Sequence, residues 1–286
     1  MKYFSYLIFR FFVFLFWLMP FWFLYFLSDG VALLLQYVIG YRKKIAVENL
    51  KYAFPEKTDA ERAAILRDSY KNLADILLEG IKSFSMSKQQ IMYRYDFPNR
   101  SLVNLNLHSG GNSVMMAAHY TNWEWGVIAL PYFIERTVVG FYKPLSNKMM
   151  DNFVRTRHQG GTKLVSIAET SGAFVTYKNE PSAYVFVSDQ STWSDKAHEL
   201  TFLNQLTKCP HGGDKYARQL GCPVFFLNIQ RKKRGFYSVE IELLAESAAQ
   251  LHEGEITRRF YERIEKVIIE KPADWLWSHR RWKNLR

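Results

Sequence analysis

The sequence predicts an α/β fold: one mixed-sheet domain flanked by helices, behind an N-terminal membrane-anchor helix. Two observations predict the domain. Short apolar runs alternate with amphipathic helical stretches from residue 114 to residue 271, the pattern of a sheet covered by helices. No internal repeat, low-complexity tract or linker interrupts it. A third observation predicts the anchor: Lys2, Arg10 and Asp29 are the only charges in residues 1–41. The chain therefore divides into a hydrophobic anchor, 1–41, and a catalytic-sized domain, 42–286.

Residues 11–27, FFVFLFWLMPFWFLYFL, carry no charge. That length is at the lower edge of a membrane span. Arg10 can snorkel toward headgroups, and Pro20 introduces a kink. Ser28-Asp29-Gly30 should break the run. The stretch 31–41 is too short to span and is expected at the interface or against the domain. Arg42, Lys43 and Lys44 favour the cytoplasmic side, as does Lys2. Spanning and interfacial placements both fit. A cleaved signal peptide is the competing reading, but the apolar core is long, aromatic and lacks a terminating small-x-small site.

Thr58-x-x-Glu61 is a capping box opening a helix to about Phe84. Ile65, Leu66, Tyr70, Leu73, Ile76, Leu77 and Ile81 recur along it at helical spacing. Residues 101–107 and 114–118 read as strands, with His108 in the turn between them. Helix 123–133, strand 137–142, helix 147–157, strand 163–167, helix 169–178 and strand 182–188 follow. Residues 191–213 are poor in apolar runs and read as a loop. Helix 213–220 leads to strands 223–230 and 236–244, with Arg231-Lys-Lys-Arg234 at their turn. Helix 256–271 is amphipathic, with Ile256, Phe260, Ile264, Val267 and Ile268 on one face.

The net charge of +11 points to an anionic partner: a membrane surface, an acidic carrier protein or nucleic acid. No nucleic-acid-binding motif is present, which sets the last aside. Cys209 and Cys222 are the only cysteines, and their spacing suggests neither a metal site nor a disulfide framework. There is no Gly-rich phosphate loop, no Gly-x-Ser-x-Gly and no His-Glu-x-x-His.

The stretch AAHYTNWEWG, 117–126, concentrates the chemistry. His119 follows a strand-like run, and Glu124 falls in the first turn of the next helix, behind the cap candidates Thr121 and Asn122. A histidine beside a carboxylate is a ready general base. The spacing alone equally describes a core histidine bonded to a helix-start glutamate. Asp189 lies at another strand end, where open α/β sheets place site residues.

AAHYTNWEWG resembles the His-x4-Asp/Glu block of the bacterial lipid A late acyltransferases, members of the lysophospholipid acyltransferase superfamily. KKIAVENLKYAFPEKTDAER (43–62), FYKPLSNKMMDNF (141–153) followed by RTRHQGG, VFVSDQ (185–190) and WLWSHRRWK (275–283) resemble further family blocks, in the same order. The resemblance implies an O-acyltransferase with His119 as general base and Glu124 as its carboxylate partner. It implies that Arg157 or Arg155 stabilises an oxyanion, with backbone N–H groups near the helix start at 122–124 as the alternative, and that Asn122, Lys143 and Asp189 bind substrate. Lys143 stands where the family often carries Arg, which removes bidentate geometry. The implied donor is an acyl thioester on acyl carrier protein. The implied acceptor is a lipid A precursor, a membrane glycolipid, at the cytoplasmic face of the inner membrane. No metal or other cofactor is implied. Another membrane lipid as acceptor, or a non-catalytic lipid-binding role, are the alternatives.

Overall fold

The computed structural model describes residues 2–105, 111–158 and 161–282. Helices α1 (Lys2–Leu18) and α2 (Phe21–Leu33) are separated at Pro20, and α2 runs on into a π-helical turn, Leu34–Val38. The expected break at Ser28-Asp29-Gly30 does not occur. Ser28 donates to Asp75 (2.6 Å) and Asp29 pairs with Arg234 (2.7 Å), so tertiary partners hold those polar residues inside the helix. After α3 (Lys43–Ala53) comes the long helix α4 (Asp59–Ser83). It opens on the expected capping box, Thr58 with Glu61.

Both N-terminal helices lie against α4. The buried Lys82 ammonium donates to the carbonyls of Phe16 (2.6 Å) and Met19 (2.8 Å), capping the end of α1. Leu24 is fully buried. Phe4, Phe11, Trp17, Trp22, Phe26 and Tyr37 instead point their large apolar side chains outward.

The remaining elements are α5 (Lys88–Arg94), β1 (Tyr95–Asp96), α6 (Ser101–Leu105), β2 (Ser113–Ala117), α7 (Trp123–Ala129), β3 (Thr137–Tyr142), α8 (Lys148–His158), β4 (Lys163–Ser166), α9 (Thr170–Thr176), β5 (Ser182–Val187), β6 (His198–Phe202), β7 (Gln205–Cys209), α10 (Gly212–Leu220), β8 (Val224–Lys233), β9 (Phe236–Ala245) and α11 (Glu255–Glu270). The main sheet has seven strands in the order β1-β9-β8-β2-β5-β3-β4. It is mixed: β2 runs parallel to β5 and β8, whereas β8 and β9 are antiparallel. Its two faces support two cores, one with α4, α10 and α11 and one with α7. Central β2 is buried at every position, as a strand covered on both faces must be.

Two further sequence expectations are corrected. Residues 101–105 are helical, not a strand. Asn99 hydrogen-bonds both backbone groups of Ile241 (2.7 and 2.9 Å), so a side chain occupies the β9 edge a further strand would need. The expected turn residue His108 lies outside the described residues. Within 191–213 the structure builds the hairpin β6–β7 instead of a featureless loop. Its turn, Leu203-Asn204, takes positive φ at both residues, and leucine is a poor signal for that conformation. The turn between β8 and β9 ends at Gly235 (φ 75°), where a Cβ would collide with the Tyr25 hydroxyl.

Candidate active site

The parallel register of β2 and β5 sets Ala117 beside Val187. Extending both strands by two residues brings His119 to Asp189. His119 Nδ1 lies 2.7 Å from Asp189 Oδ1. The second Asp189 oxygen accepts from Trp275 Nε1 at 2.8 Å. Asp189 is buried. Burial alone would raise its pKa, but the charge and hydrogen bond of His119, with the Trp275 bond, outweigh it and hold the carboxyl below its usual range. An ionised Asp189 fixes the Nδ1–H tautomer and leaves Nε2 as the basic nitrogen. The Gln190 amide nitrogen sits 3.0 Å from Nε2.

The loop after β2 is held by the C-terminal segment. Tyr120 pairs with Trp275 across an antiparallel bridge. Leu276 N–H donates to His119 O (3.2 Å), and Thr121 N–H donates to Asp274 O (2.8 Å). Thr121 has φ 50°, a strained conformation for a β-branched residue. Its hydroxyl is buried without a hydrogen-bond partner among the described residues. The strain reverses the chain between His119 and α7.

Asn122 is buried and points away from solvent. Its Oδ1 accepts from Trp125 N–H (2.9 Å), capping α7, and its Nδ2 donates to Glu79 (2.6 Å). Glu79 also accepts from Tyr237 (2.7 Å) and Tyr25 (2.7 Å). Burial raises the Glu79 pKa against these three donors. The cluster ties α2, α4, β9 and the start of α7 together. In this structure the Asn122 side chain caps Glu124's helix and bonds Glu79.

Glu124 does not hydrogen-bond His119. Its Oε1 accepts from Trp123 Nε1 (3.1 Å), and the Trp123 ring meets the His119 ring edge-on, centroids 4.9 Å apart. The carboxylate is open to a cleft of about 430 Å³. Enclosure by the surrounding protein raises its pKa, while the Trp123 bond and the His119 charge oppose the rise. Leu73, Ile76, Leu77, Ile81, Phe84 and Ile128 supply apolar walls, and Arg42, Gln190 and His279 supply polar groups. His279 accepts from Ser191 N–H (3.3 Å). Burial, with the charges of His119, Arg281 and Arg42, pushes its pKa down to about 4 against the pull of Asp189.

Of the other expected residues, Lys143 and Arg155 do not line this cleft. Lys143 is exposed in the loop after β3, and Arg155 is exposed on α8. Arg157 belongs to α8, but its side chain lies outside the described residues. Arg231 and Arg234 turn inward onto Asp75, so they are not a free basic turn. Trp275 and His279 were not named individually from sequence, Gln190 was read only together with Asp189 at a strand end, and Arg42 only as part of a basic flank. Their shared signal is adjacency: Gln190 follows Asp189, and Trp275 and His279 sit in the C-terminal block WLWSHRRWK.

A family model described as bacterial lipid A biosynthesis acyltransferase matches residues 1–284. A lipid A biosynthesis acyltransferase of Haemophilus influenzae is 21% identical over 247 residues, covering 85% of this chain and 78% of that protein. The lipid A biosynthesis lauroyltransferase of Escherichia coli is 24% identical over 266 residues, covering 91% and 85%. The palmitoleoyltransferase of the same organism is 19% identical over 265 residues, covering 90% and 84%.

Proposed function

The chain belongs to the bacterial lipid A biosynthesis acyltransferase family, and we propose that it moves a fatty acyl chain from a thioester to a hydroxyl of a lipid A precursor, with His119 as general base. Nε2 takes the acceptor's hydroxyl proton as the oxygen attacks the thioester carbonyl. A C–O bond forms, and the carbonyl electrons collect on an oxyanion. Collapse expels the thiolate, which recovers the proton from the imidazolium. Asp189 orients the ring and stabilises that imidazolium. Glu124 adds a negative charge at the cleft mouth and is placed to bond the acceptor. Arg42, which lines the cleft, joins Arg155 and Arg157 as a candidate for the oxyanion.

The observation that carries this reading is the pairing of His119 Nδ1 with buried Asp189 beside an apolar cleft. Apolar walls suit an acyl chain, and a polar mouth suits its carbonyl. The net charge of +11 suits an acidic acyl carrier protein as donor and a phosphorylated glycolipid as acceptor. Residues 1–41 serve as the anchor: α1 and α2 dock on the domain and offer their exposed aromatic faces to the inner membrane from the cytoplasmic side.

The test is His119→Ala. Removing a general base costs about 10²–10⁴ in rate. Purified variant should remain folded and membrane-bound yet lose transfer by that factor, read by mass spectrometry of the acylated acceptor. Wild-type turnover in this variant would end the mechanism.

A further inference from the structure

Helix α4 separates the cleft beside Glu124 from a second cavity of about 660 Å³. The cleft is lined by Leu73, Ile76, Leu77, Gly80 and Ile81 of α4. The second cavity is lined by Arg67, Lys71, Asn72 and Asp75. At about 100° per residue, these two sets are centred on opposite faces of the helix. The second cavity is therefore not an extension of the acyl cleft.

Its charges fall into two groups. Arg231 and Arg234 are committed to Asp75, and Arg234 also to Asp29. They form a neutralised floor. Arg67 and Lys71, one turn apart on exposed α4, are paired only loosely with Asp68, at 3.3 and 3.7 Å. The opposite wall comes from the anchor: Ala32, Leu33, Gln36 and Tyr37. Leu33 and Tyr37 are each 60% exposed and continue the outward apolar face of α2. Gln36 lies in the π-helical turn and is only 6% exposed. The hydrogen bonds among the described residues include none to its side-chain amide. Gln36 lines the cavity, so its amide is within reach of a group bound there.

We propose that this cavity binds the phosphate headgroup of an anionic bilayer phospholipid. Arg67 and Lys71 take the phosphate oxygens, Gln36 hydrogen-bonds the headgroup, and Leu33 and Tyr37 meet the acyl chains. The site lies on the face of α4 turned away from His119. Its ligand is thus a lipid that seats the anchor and not the one being acylated. The proposal does not depend on the mechanism assigned to His119.

Native mass spectrometry of the full chain in detergent, titrated with phosphatidylglycerol or phosphatidylcholine, tests it. Wild type should retain phosphatidylglycerol saturably at one per chain and phosphatidylcholine poorly. Losing charge-assisted bonds in Arg67→Glu/Lys71→Glu should weaken retention about tenfold or more. Gln36→Leu, which changes no charge, should weaken it by a smaller factor. The control Lys163→Glu/Lys178→Glu makes the same change of charge at exposed positions on β4 and after α9, outside the cavity lining, and should leave retention intact. Transfer to detergent-dispersed acceptor should be unchanged in all of them. Three results would overturn the proposal. One is equal loss in the control pair, which would mean diffuse electrostatics. Another is full displacement of the lipid by excess inorganic phosphate, which would mean a free-anion site. The last is a matching rise in KM for the acceptor in Arg67→Glu/Lys71→Glu, which would mean the cavity holds the acceptor's own phosphate.

Discussion

Two carboxylates stand near one imidazole, and their surroundings push them apart. Asp189 is buried at the end of β5, bonded to His119 and Trp275, and held below the usual carboxylate range. Glu124 opens into the cleft at the start of α7, makes no bond to His119, and is raised. A carboxylate fixed in its ionised form can orient a base and carry its charge. One with a raised pKa, facing a cleft, is placed to meet substrate. Under the proposed mechanism, the local pair His119/Glu124 and the distant pair His119/Asp189 divide the work between acceptor and base.

The sharpest way to break that division is to exchange the roles by mutation. Asp189→Asn keeps the shape but lets the imidazole take the other tautomer. With ring orientation lost, kcat should fall by about 10²–10⁴, with KM for donor little changed. Glu124→Gln leaves His119 and Asp189 intact and should cost less, about tenfold, with part of it in KM for the acceptor. If Glu124→Gln abolishes turnover while Asp189→Asn retains most of it, the assignment is reversed. The two variants should also differ in pH profile. Where ionised Glu124 is required, activity is lost as pH falls through its raised pKa. Removing that requirement in Glu124→Gln should move the acidic limb of kcat/KM to lower pH.

The nearby His279 tests whether the buried side of the site is as dry as the comparison requires. Its pKa of about 4 lies below the value of 6.5 expected for an exposed histidine. The unfolded chain therefore binds the proton more readily than the native one. Stability from this group is complete above pH 6.5 and is lost as pH falls toward about 4. Urea midpoints of the wild type should drop across that window. The drop should be smaller in His279→Gln, which cannot titrate, and an unchanged pH dependence would place His279 in water.

The same comparison explains how much of the site was legible in the sequence. Glu124 was visible because a helix start follows His119 within a few residues, and short-range spacing reports such neighbours. Asp189 was visible as a strand end, but its bond to His119 was not, because that bond is set by the pairing of β2 with β5. Most helices were legible for the first reason: α4 carries its own capping box, and α11 its own apolar stripe. The hairpin β6–β7 was missed because Leu203 adopts a backbone conformation that leucine does not advertise. Residues 101–105 were misread because the β9 edge is filled by the Asn99 side chain, a competitor that no alternation pattern reveals. Asn122 was legible as a helix cap, but its tie to the buried cluster was not. Its second bond goes to Glu79, 43 residues away.

The smallest expected effect comes from the far oxygen of Asp189. Trp275 donates to it from the C-terminal block, and Trp275→Phe removes that donor while keeping most of the aromatic contact with Phe202 and Trp277. The carboxylate would keep its bond to His119 but lose one of two partners in a buried setting. A hydrogen bond to a charged group contributes about 1.5–3 kcal/mol. Only part of that should reach the rate, since the imidazole stays oriented. A severalfold fall in kcat is expected, with KM unchanged and thermal stability lowered. Trp275→Phe combined with Asp189→Asn should be no slower than Asp189→Asn alone, because the tryptophan acts through a charge that is already gone. Additive losses in the double variant would show that Trp275 reaches the chemistry by another route, through its bridge to Tyr120 and hence the backbone that carries His119.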